Sequence, residues 1–231
     1  MCNIACIDFG KANISRKDVE GKRVIEVGAR DVNGSLRSVI EQFSPAEYIG
    51  VDIHPGKGVD IICSAVDILD RFGKESFDLL ICTEVLEHIE DWRRAISNFK
   101  QLLKPAGTLL LTTRSKGFYC HDIPYDFWRY ETADMQAIFS DLQIEKIETD
   151  PLDPGIFLKA RRPERFTEND LSDHKLYSVM KGGHTLRITK LHRYIFKVRR
   201  FLWLILPRPL KNTIRARKIN LPWFQIEDFY R

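Results

Sequence analysis

Two short apolar runs that each bring an acid to a strand end constrain this chain more than any other feature. The first covers residues 24–28 and contains Glu26, and the second covers residues 48–52 and ends at Asp52. The two acids are separated by about the length of one βαβ unit, so the two runs can form neighbouring parallel strands. The carboxyl ends of such buried strands lie at the sheet edge where open α/β folds bind ligands. We therefore predict that Glu26 and Asp52 face one crevice. Two acids there suit hydroxyl and amine donors, and they repel phosphate.

Alternating apolar runs and helical patterns continue through the first two thirds of the chain. Strands are predicted over residues 23–27, 48–52, 61–62, 77–82 and 108–113, and helices around 35–43 and 91–103. This alternation predicts right-handed βαβ units in a parallel sheet covered on both faces. Two later β-like runs, 142–149 and 156–160, leave no room for a helix and predict an antiparallel hairpin that closes the sheet. The expected fold class is α/β, doubly wound and mainly parallel.

Charge divides the chain into an acidic body and a basic tail. Residues 1–173 contain 22 basic and 30 acidic side chains, whereas residues 174–231 contain 14 and 2. We therefore predict an N-terminal helical lead over 1–20, with Ser15 as an N-cap, a central domain over 21–163 and a basic helical extension over 164–231.

Composition excludes several protein classes. No apolar stretch approaches the ~20 residues of a membrane span, and the N-terminus lacks the pattern of a secretory signal. Five scattered cysteines indicate a reducing compartment, so we expect a cytoplasmic protein, with a peripheral position at the inner membrane face if the tail binds lipid. Cys2 and Cys6 are close, but no other Cys or His cluster completes a metal site, and none is predicted.

Five segments, in order, resemble class I S-adenosylmethionine-dependent methyltransferases. They are residues 24–28, Asp52, the segment around Asp67, residues 77–88 and residues 102–107, and the resemblance covers about residues 22–162. It implies a Rossmann-like, seven-stranded sheet with one antiparallel strand near the edge. It also implies methyl transfer from S-adenosylmethionine, with S-adenosylhomocysteine as product. A nicotinamide dehydrogenase is disfavoured, because the first loop lacks Gly-x-Gly-x-x-Gly.

The resemblance also implies roles around the methionine arm and the ribose. Glu26 would lie under the methionyl amino end, Asp52 would accept both ribose hydroxyls, and Thr83 would line the methionine arm. Gly28 would let the backbone approach the ligand. Arg30 stands where the family has a small residue, and it is a candidate partner of the methionyl carboxylate.

The resemblance also assigns three further residues to the adenine site. Ile53 and Ile68 would sandwich the adenine, and Asp67 would accept from its amine. Asp67 has a second interpretation as the N-cap of a following helix.

Two segments near the crevice contain candidate catalytic side chains. His88, in the segment after the fourth strand, either faces the substrate or packs against a helix, whereas Glu87 is expected to face solvent. Residues 121–130 should hang over the crevice and contain His121 and Asp126, our catalytic candidates. His121 is the candidate base, because imidazole titrates nearest neutral pH. An aromatic lid with an internal pair between Asp126 and Arg129 is the alternative, and it favours positioning over direct acid–base duty.

The tail contains one amphipathic helix. Its apolar stripe comprises Leu191, Ile195, Val198, Leu202 and Ile205, and its basic face comprises Lys190, Arg193, Lys197 and Arg200. Such a helix suits an anionic bilayer surface or a lipid-linked substrate. Docking of the stripe on the acidic body and binding of RNA by the tail are the alternatives.

Together these patterns predict a methyltransferase acting on an oxygen of a small or glycan-type acceptor. The glycan suggestion comes from segments similar to residues 121–129 in methyltransferase-like proteins linked to glycan or cell-surface assembly. An RNA methyltransferase and a non-catalytic cofactor-binding or scaffold protein are the alternative functions. The acceptor partner is expected to be a small molecule or lipid-linked glycan, with nucleic acid less favoured.

Overall fold

A mainly parallel sheet forms the centre of the protein. The computed structural model describes residues 3–216. Cys2 and the end of the basic tail, from residue 217 onward, therefore lie outside the described residues. Within them the strands are β1 (Arg23–Val27), β2 (Glu47–Asp52), β3 (Ile61–Ile62), β4 (Phe77–Thr83), β5 (Leu103–Arg114), β6 (Trp128–Arg129), β7 (Gln143–Thr149), β8 (Gly155–Arg161), β9 (Leu176–Ser178) and β10 (Gly183–Thr185).

The helices lie mostly between these strands. They are α1 (Ile4–Asn13), α2 (Arg16–Val19), α3 (Arg37–Glu41), α4 (Ile68–Phe72), α5 (Trp92–Leu102), α6 (Thr132–Ile138), α7 (Lys190–Ile205) and α8 (Arg208–Ala216), with a 3-10 turn over Leu86–His88.

The strand order confirms the predicted fold class. The seven-stranded sheet has the order β3-β2-β1-β4-β5-β8-β7, and β8 is antiparallel to both of its neighbours. Strand β5 begins earlier than predicted, because Leu103 pairs with Phe77 and the expected turn residues that follow join the strand. Helix α3 is shorter than the predicted 35–43.

Both faces of the sheet are covered. One face packs against the N-terminal helices, where Cys6, Phe9, Ile14 and Val19 contact residues of the central strands. Ser15 donates through its backbone nitrogen and its hydroxyl to Asp18, which fixes the start of α2. The predicted lead is therefore a layer of the central domain.

The other face packs against α5, α6 and a second, three-stranded sheet of order β10-β9-β6. This sheet joins segment 121–130 to the extension, since β6 pairs with β9. Leu176, Val179, Met180 and Phe196 of the extension are buried in the same core as α5. The packing therefore continues across the predicted boundary at residue 164.

Helix α7 turns its apolar stripe outward. The five stripe residues are 39–63% exposed, whereas Phe196, Arg199 and Trp203 are buried. The alternative in which the stripe completes the core is therefore wrong, because a different face of the helix packs inward. Among residues 3–216, no helix combines the length and the apolar character needed to cross a membrane.

Candidate active site

The two strand-end acids lie at the same edge of the sheet. Strands β1 and β2 are parallel, and Glu26 pairs in register with Gly50, two residues before Asp52. Both acids therefore lie at one edge of the sheet, and their convergence on one ligand crevice stays a prediction. The two side chains differ in accessibility, because Glu26 is 2% exposed whereas Asp52 is half-buried.

Glu26 is buried at the edge of the sheet, where it accepts hydrogen bonds from two hydroxyl groups. The Tyr48 hydroxyl donates to Glu26 Oε2 at 2.7 Å, and the Ser35 hydroxyl lies 3.3 Å from the same oxygen. Burial raises the pKa of Glu26, although these two hydroxyl groups oppose the shift. The carboxylate thus fixes the loop after β1, and its direct contact with a ligand stays a prediction.

The loop after β1 is locked by glycine geometry. Gly28 has φ +78°, and a Cβ placed there would lie 2.1 Å from Val85 Cγ2. Only glycine fits this position, where the β1 and β4 loops meet. Arg30 packs over Gly56 in the β2–β3 loop, since a Cβ on Gly56 would lie 3.0 Å from Arg30 Cγ. Arg30 thus packs against the β2–β3 loop, and its contact with the methionyl carboxylate stays a prediction.

Acceptors for a ribose and an adenine amine are available at the edge. Asp52 Oδ1 accepts from the backbone of His54 at 2.9 Å, and Ile53 beside it is 60% exposed. The Asp67 side chain is 60% exposed and pairs with Arg94 at 3.3 Å. Asp67 is also the N-cap residue of α4 by position, but its side chain forms no capping hydrogen bond, so its carboxylate is not committed to the helix.

One predicted adenine contact is not brought to the crevice. Ile68 is fully buried in the hydrophobic core, so it presents no surface to a ligand. Thr83 ends β4 and is half-buried, as a methionine-arm residue requires. Half-buried Asp52, exposed Asp67 and exposed, apolar Ile53 fit S-adenosylmethionine, whose ribose and adenine amine donate hydrogen bonds.

A buried acidic pair underlies the segment after β4. Glu87 is fully buried and accepts from the Thr113 hydroxyl at 3.0 Å, so the expectation that it faces solvent is wrong. Glu84, at φ +57°, accepts from the Thr112 hydroxyl at 2.9 Å and pairs with Arg114. Burial and the neighbouring Glu87 raise the pKa of Glu84 well above its ordinary value.

Two histidines meet above this acidic pair. The Nε2 atoms of His88 and His121 lie 3.0 Å apart, and Nδ1 of His88 lies 2.9 Å from the Tyr125 carbonyl oxygen. The His88 side chain is 21% exposed, whereas that of His121 is 4% exposed. His88 is therefore the more accessible imidazole, and His121 lies behind it.

Asp126 orients His121 and has no access to a substrate. It is fully buried, accepts from the His121 backbone at 3.0 Å, and lies 3.0 Å from His121 Nδ1. Burial opposes its ionisation, but two bonds from Arg129 hold the pKa of Asp126 well below the ordinary value. The predicted internal pair is present, and we reassign Asp126 from catalytic candidate to positioning residue.

The aromatic residues of segment 121–130 are mostly core. Phe127, Trp128 and Tyr130 are buried, and only Tyr125, at 60% exposure, resembles the predicted lid. Next to it, a cavity of about 670 Å³ opens between Pro124 and α7. Its lining combines apolar and basic side chains, namely Ile123, Met180, Phe196, Phe201, Leu204, Arg193, Lys197 and Arg200.

Sequence reasoning missed the joint placement of Glu87, His88 and His121. Ligand atoms of the three side chains lie within 4.8 Å of one another, although no such cluster was expected from the sequence. The available signal was the adjacent Glu87-His88 pair directly after a predicted strand. We expected Glu87 to face solvent because we assigned it to a helix, whereas it lies in a short 3-10 turn.

Comparisons with known proteins agree with this geometry. A family model described as a methyltransferase domain matches residues 6–147. The ubiquinone biosynthesis O-methyltransferase of Idiomarina loihiensis is 28% identical over 109 residues, which cover 42% of this chain and 44% of that protein. The chain thus spans less than half the length of that curated relative.

Solved structures share the fold. An S-adenosylmethionine-dependent methyltransferase from Mesorhizobium loti has a TM-score of 0.53 at 18% identity, over 68% of this chain and 98% of that one. The 1,6-didemethyltoxoflavin-N1-methyltransferase of Burkholderia thailandensis, solved with its acceptor and S-adenosylhomocysteine, has a TM-score of 0.54 at 12% identity, over 69% and 79%. At these identities the likeness shows the fold alone.

Proposed function

Because the chain belongs to the methyltransferase-domain family and has the class I S-adenosylmethionine-dependent fold, we propose that it transfers a methyl group from S-adenosylmethionine to an oxygen of a small acceptor. When bound, the cofactor supplies a methyl group on a sulfonium centre that leaves as a neutral thioether. The protein's contribution is then to bind, to align the acceptor and to exclude water.

The paired imidazoles of His88 and His121 are the observation that favours an oxygen acceptor. A hydroxyl is a weak nucleophile until its proton is removed or its oxygen is polarised, whereas an amine or a thiolate needs less help. The His88 side chain is partly exposed, and Asp126, itself paired with Arg129, holds the neighbouring His121 through its backbone amide. The naming of the curated relatives as O-methyltransferases supports the same assignment.

The cavity beside α7 favours an acceptor with an apolar part and an anionic group. Its apolar lining suits a hydrocarbon tail, and Arg193, Lys197 and Arg200 suit a phosphate or carboxylate. The outward apolar stripe of α7, together with exposed Lys197 and Arg200, is the pattern of a helix that rests on an anionic lipid surface. A lipid-linked acceptor, glycan-type or otherwise, would then reach the crevice from the membrane side.

The test is S-adenosylhomocysteine formation measured by mass spectrometry with four acceptors. They are a hydroxylated ring with an alkyl tail, the same ring without the tail, an oligosaccharide and a short RNA. We expect product with the tailed acceptor, at least tenfold less without the tail, and none with RNA. His88→Gln should lose activity, and the matched His184→Gln, at an exposed histidine, should keep it.

Two results would overturn the proposal. Product from RNA alone would indicate an RNA methyltransferase. Cofactor binding without product from any acceptor would indicate a non-catalytic binding protein.

A further inference from the structure

Three metal-ligand groups converge beside the crevice. The Nε2 atoms of His88 and His121 are 3.0 Å apart, and Glu87 Oε1 lies 3.7 Å from His88 Nε2. All three atoms lie within 4.8 Å of one another. Glu87 and His88 come from the turn after β4, whereas His121 comes from the segment after β5, so tertiary packing brings the set together.

The surroundings of Nδ1 favour a proton on that nitrogen in both imidazoles. Nδ1 of His88 faces the Tyr125 carbonyl oxygen, which can only accept, so this nitrogen carries the proton. Nδ1 of His121 lies 3.0 Å from a carboxylate oxygen of Asp126, at a distance where the negative charge favours a proton on this nitrogen, although the contact does not have hydrogen-bond geometry. Both Nε2 atoms therefore direct lone pairs at each other.

A buried carboxylate oxygen of Glu87 is the third acceptor atom beside the two Nε2 atoms. Thr113 donates to Glu87 Oε2, whereas Glu87 Oε1 is buried and has no hydrogen-bond partner among the described residues. Three acceptors facing one point without a donor are unfavourable unless a positive charge lies between them. A proton shared by the two Nε2 atoms would satisfy the imidazoles alone, whereas a metal cation would satisfy all three acceptors, including Glu87 Oε1.

We propose that Glu87, His88 and His121 bind a divalent transition-metal cation. Ligands of a tetrahedral zinc ion, with Zn–N of about 2.0–2.1 Å, lie roughly 3.3 Å apart, close to the observed 3.0 and 3.7 Å. Two histidines and one carboxylate are a known donor set that leaves open positions. The Nδ1 atoms face the Tyr125 carbonyl oxygen and the Asp126 carboxylate, the kinds of group that lie behind metal-binding histidines.

The inference also narrows the acceptor class, and this part rests on the proposed function. A cation with open positions would bind the acceptor's hydroxyl oxygen and lower the pKa of that hydroxyl. Acceptors with two neighbouring oxygens, such as a vicinal diol or an ortho-dihydroxy ring, would be preferred because they fill two positions at once.

The test is metal binding by the full-length protein without cofactor or acceptor. Chelator-treated protein is titrated calorimetrically with Zn²⁺, and the electron paramagnetic resonance signal of added Mn²⁺ is recorded as a second probe. We expect one equivalent of Zn²⁺ to bind, at least 100-fold weaker binding by His88→Gln, and unchanged binding by His184→Gln. His121→Gln should lose binding as well, and thermal unfolding identifies any variant that fails to fold.

The outcomes are distinct. Binding that is equal in the wild type and in folded His88→Gln, or no binding to the wild type, overturns the metal site and leaves methyl transfer by a simple imidazole base intact. Stoichiometric binding that depends on His88 but is followed by no methyl transfer supports the site and rejects the proposed function instead.

Discussion

Arg129 donates to both carboxylate oxygens of Asp126, at 2.5 and 2.8 Å, and both side chains are fully buried. Arg129 also donates to the carbonyl oxygens of Phe118 and Tyr119, so one guanidinium ties together both ends of the segment over the crevice. The segment's shape therefore depends on one buried ion pair.

Asp126→Asn should destabilise the protein by about 3–5 kcal/mol, because it leaves the guanidinium buried without a countercharge. Denaturant unfolding measures this loss. Asp122→Asn, at an exposed acid of the same segment, should change the free energy of unfolding by under about 0.5 kcal/mol. A loss below about 1 kcal/mol for Asp126→Asn would contradict the central role of this pair.

Asp52→Asn should weaken S-adenosylhomocysteine binding at least tenfold. Hydrogen bonds to a charged acceptor contribute about 1.5–3 kcal/mol, and about 1.4 kcal/mol corresponds to a factor of ten. Calorimetric titration gives the dissociation constant, with Asp8→Asn on α1 as an exposed control. If Asp52→Asn bound S-adenosylhomocysteine within twofold of the wild-type affinity, the assignment of Asp52 to the ribose site would be wrong.

The paired substitution Lys197→Glu and Arg200→Glu should reduce co-flotation with anionic vesicles at least tenfold. Each basic residue near such a surface contributes about 1 kcal/mol, and reversing two charges replaces attraction with repulsion. Lys17→Glu with Lys74→Glu gives the same net charge at exposed positions away from α7. Point variants are preferable to truncation, because the tail contributes Phe196 to the core. Equal loss in both paired variants would mean that net charge alone governs binding.

Asp78→Asn should destabilise the protein at neutral pH but not in acid. Burial opposes ionisation of Asp78, but Lys104 at 2.8 Å and the Arg23 amide at 3.0 Å lower its pKa from the ordinary 3.8. A lowered pKa contributes stability above the unfolded value, and this contribution is lost as pH falls through the folded value.

The difference between wild type and Asp78→Asn should thus be about 1–2 kcal/mol at pH 7, and it should vanish as the pH falls below the lowered pKa of Asp78 in the folded protein. Thermal and denaturant unfolding across this range would measure it. Glu47→Gln, in an exposed pair with Arg23, should change stability by under about 1 kcal/mol. A difference for Asp78→Asn that persisted in acid would mean that packing, rather than charge, is lost.

The sequence by itself determined the sheet and the acids at its edge. Strand β1, the end of β2 and the start of β4 could be predicted because apolar periodicity and strand-end acids are local signals, and parallel pairing forces Glu26 and Asp52 to one edge. The sequence also indicated the pairing of Asp126 with Arg129, which are three residues apart.

Only the tertiary structure decided which side chains are accessible and which meet. His88 and His121 are 33 residues apart in the chain, and their contact depends on how two loops pack over β4 and β5. The burial of Glu87 and Ile68 and the outward stripe of α7 depend on which face of each element packs against a neighbour. Composition and periodicity describe a helix face, but packing against the rest of the fold selects the face that is buried.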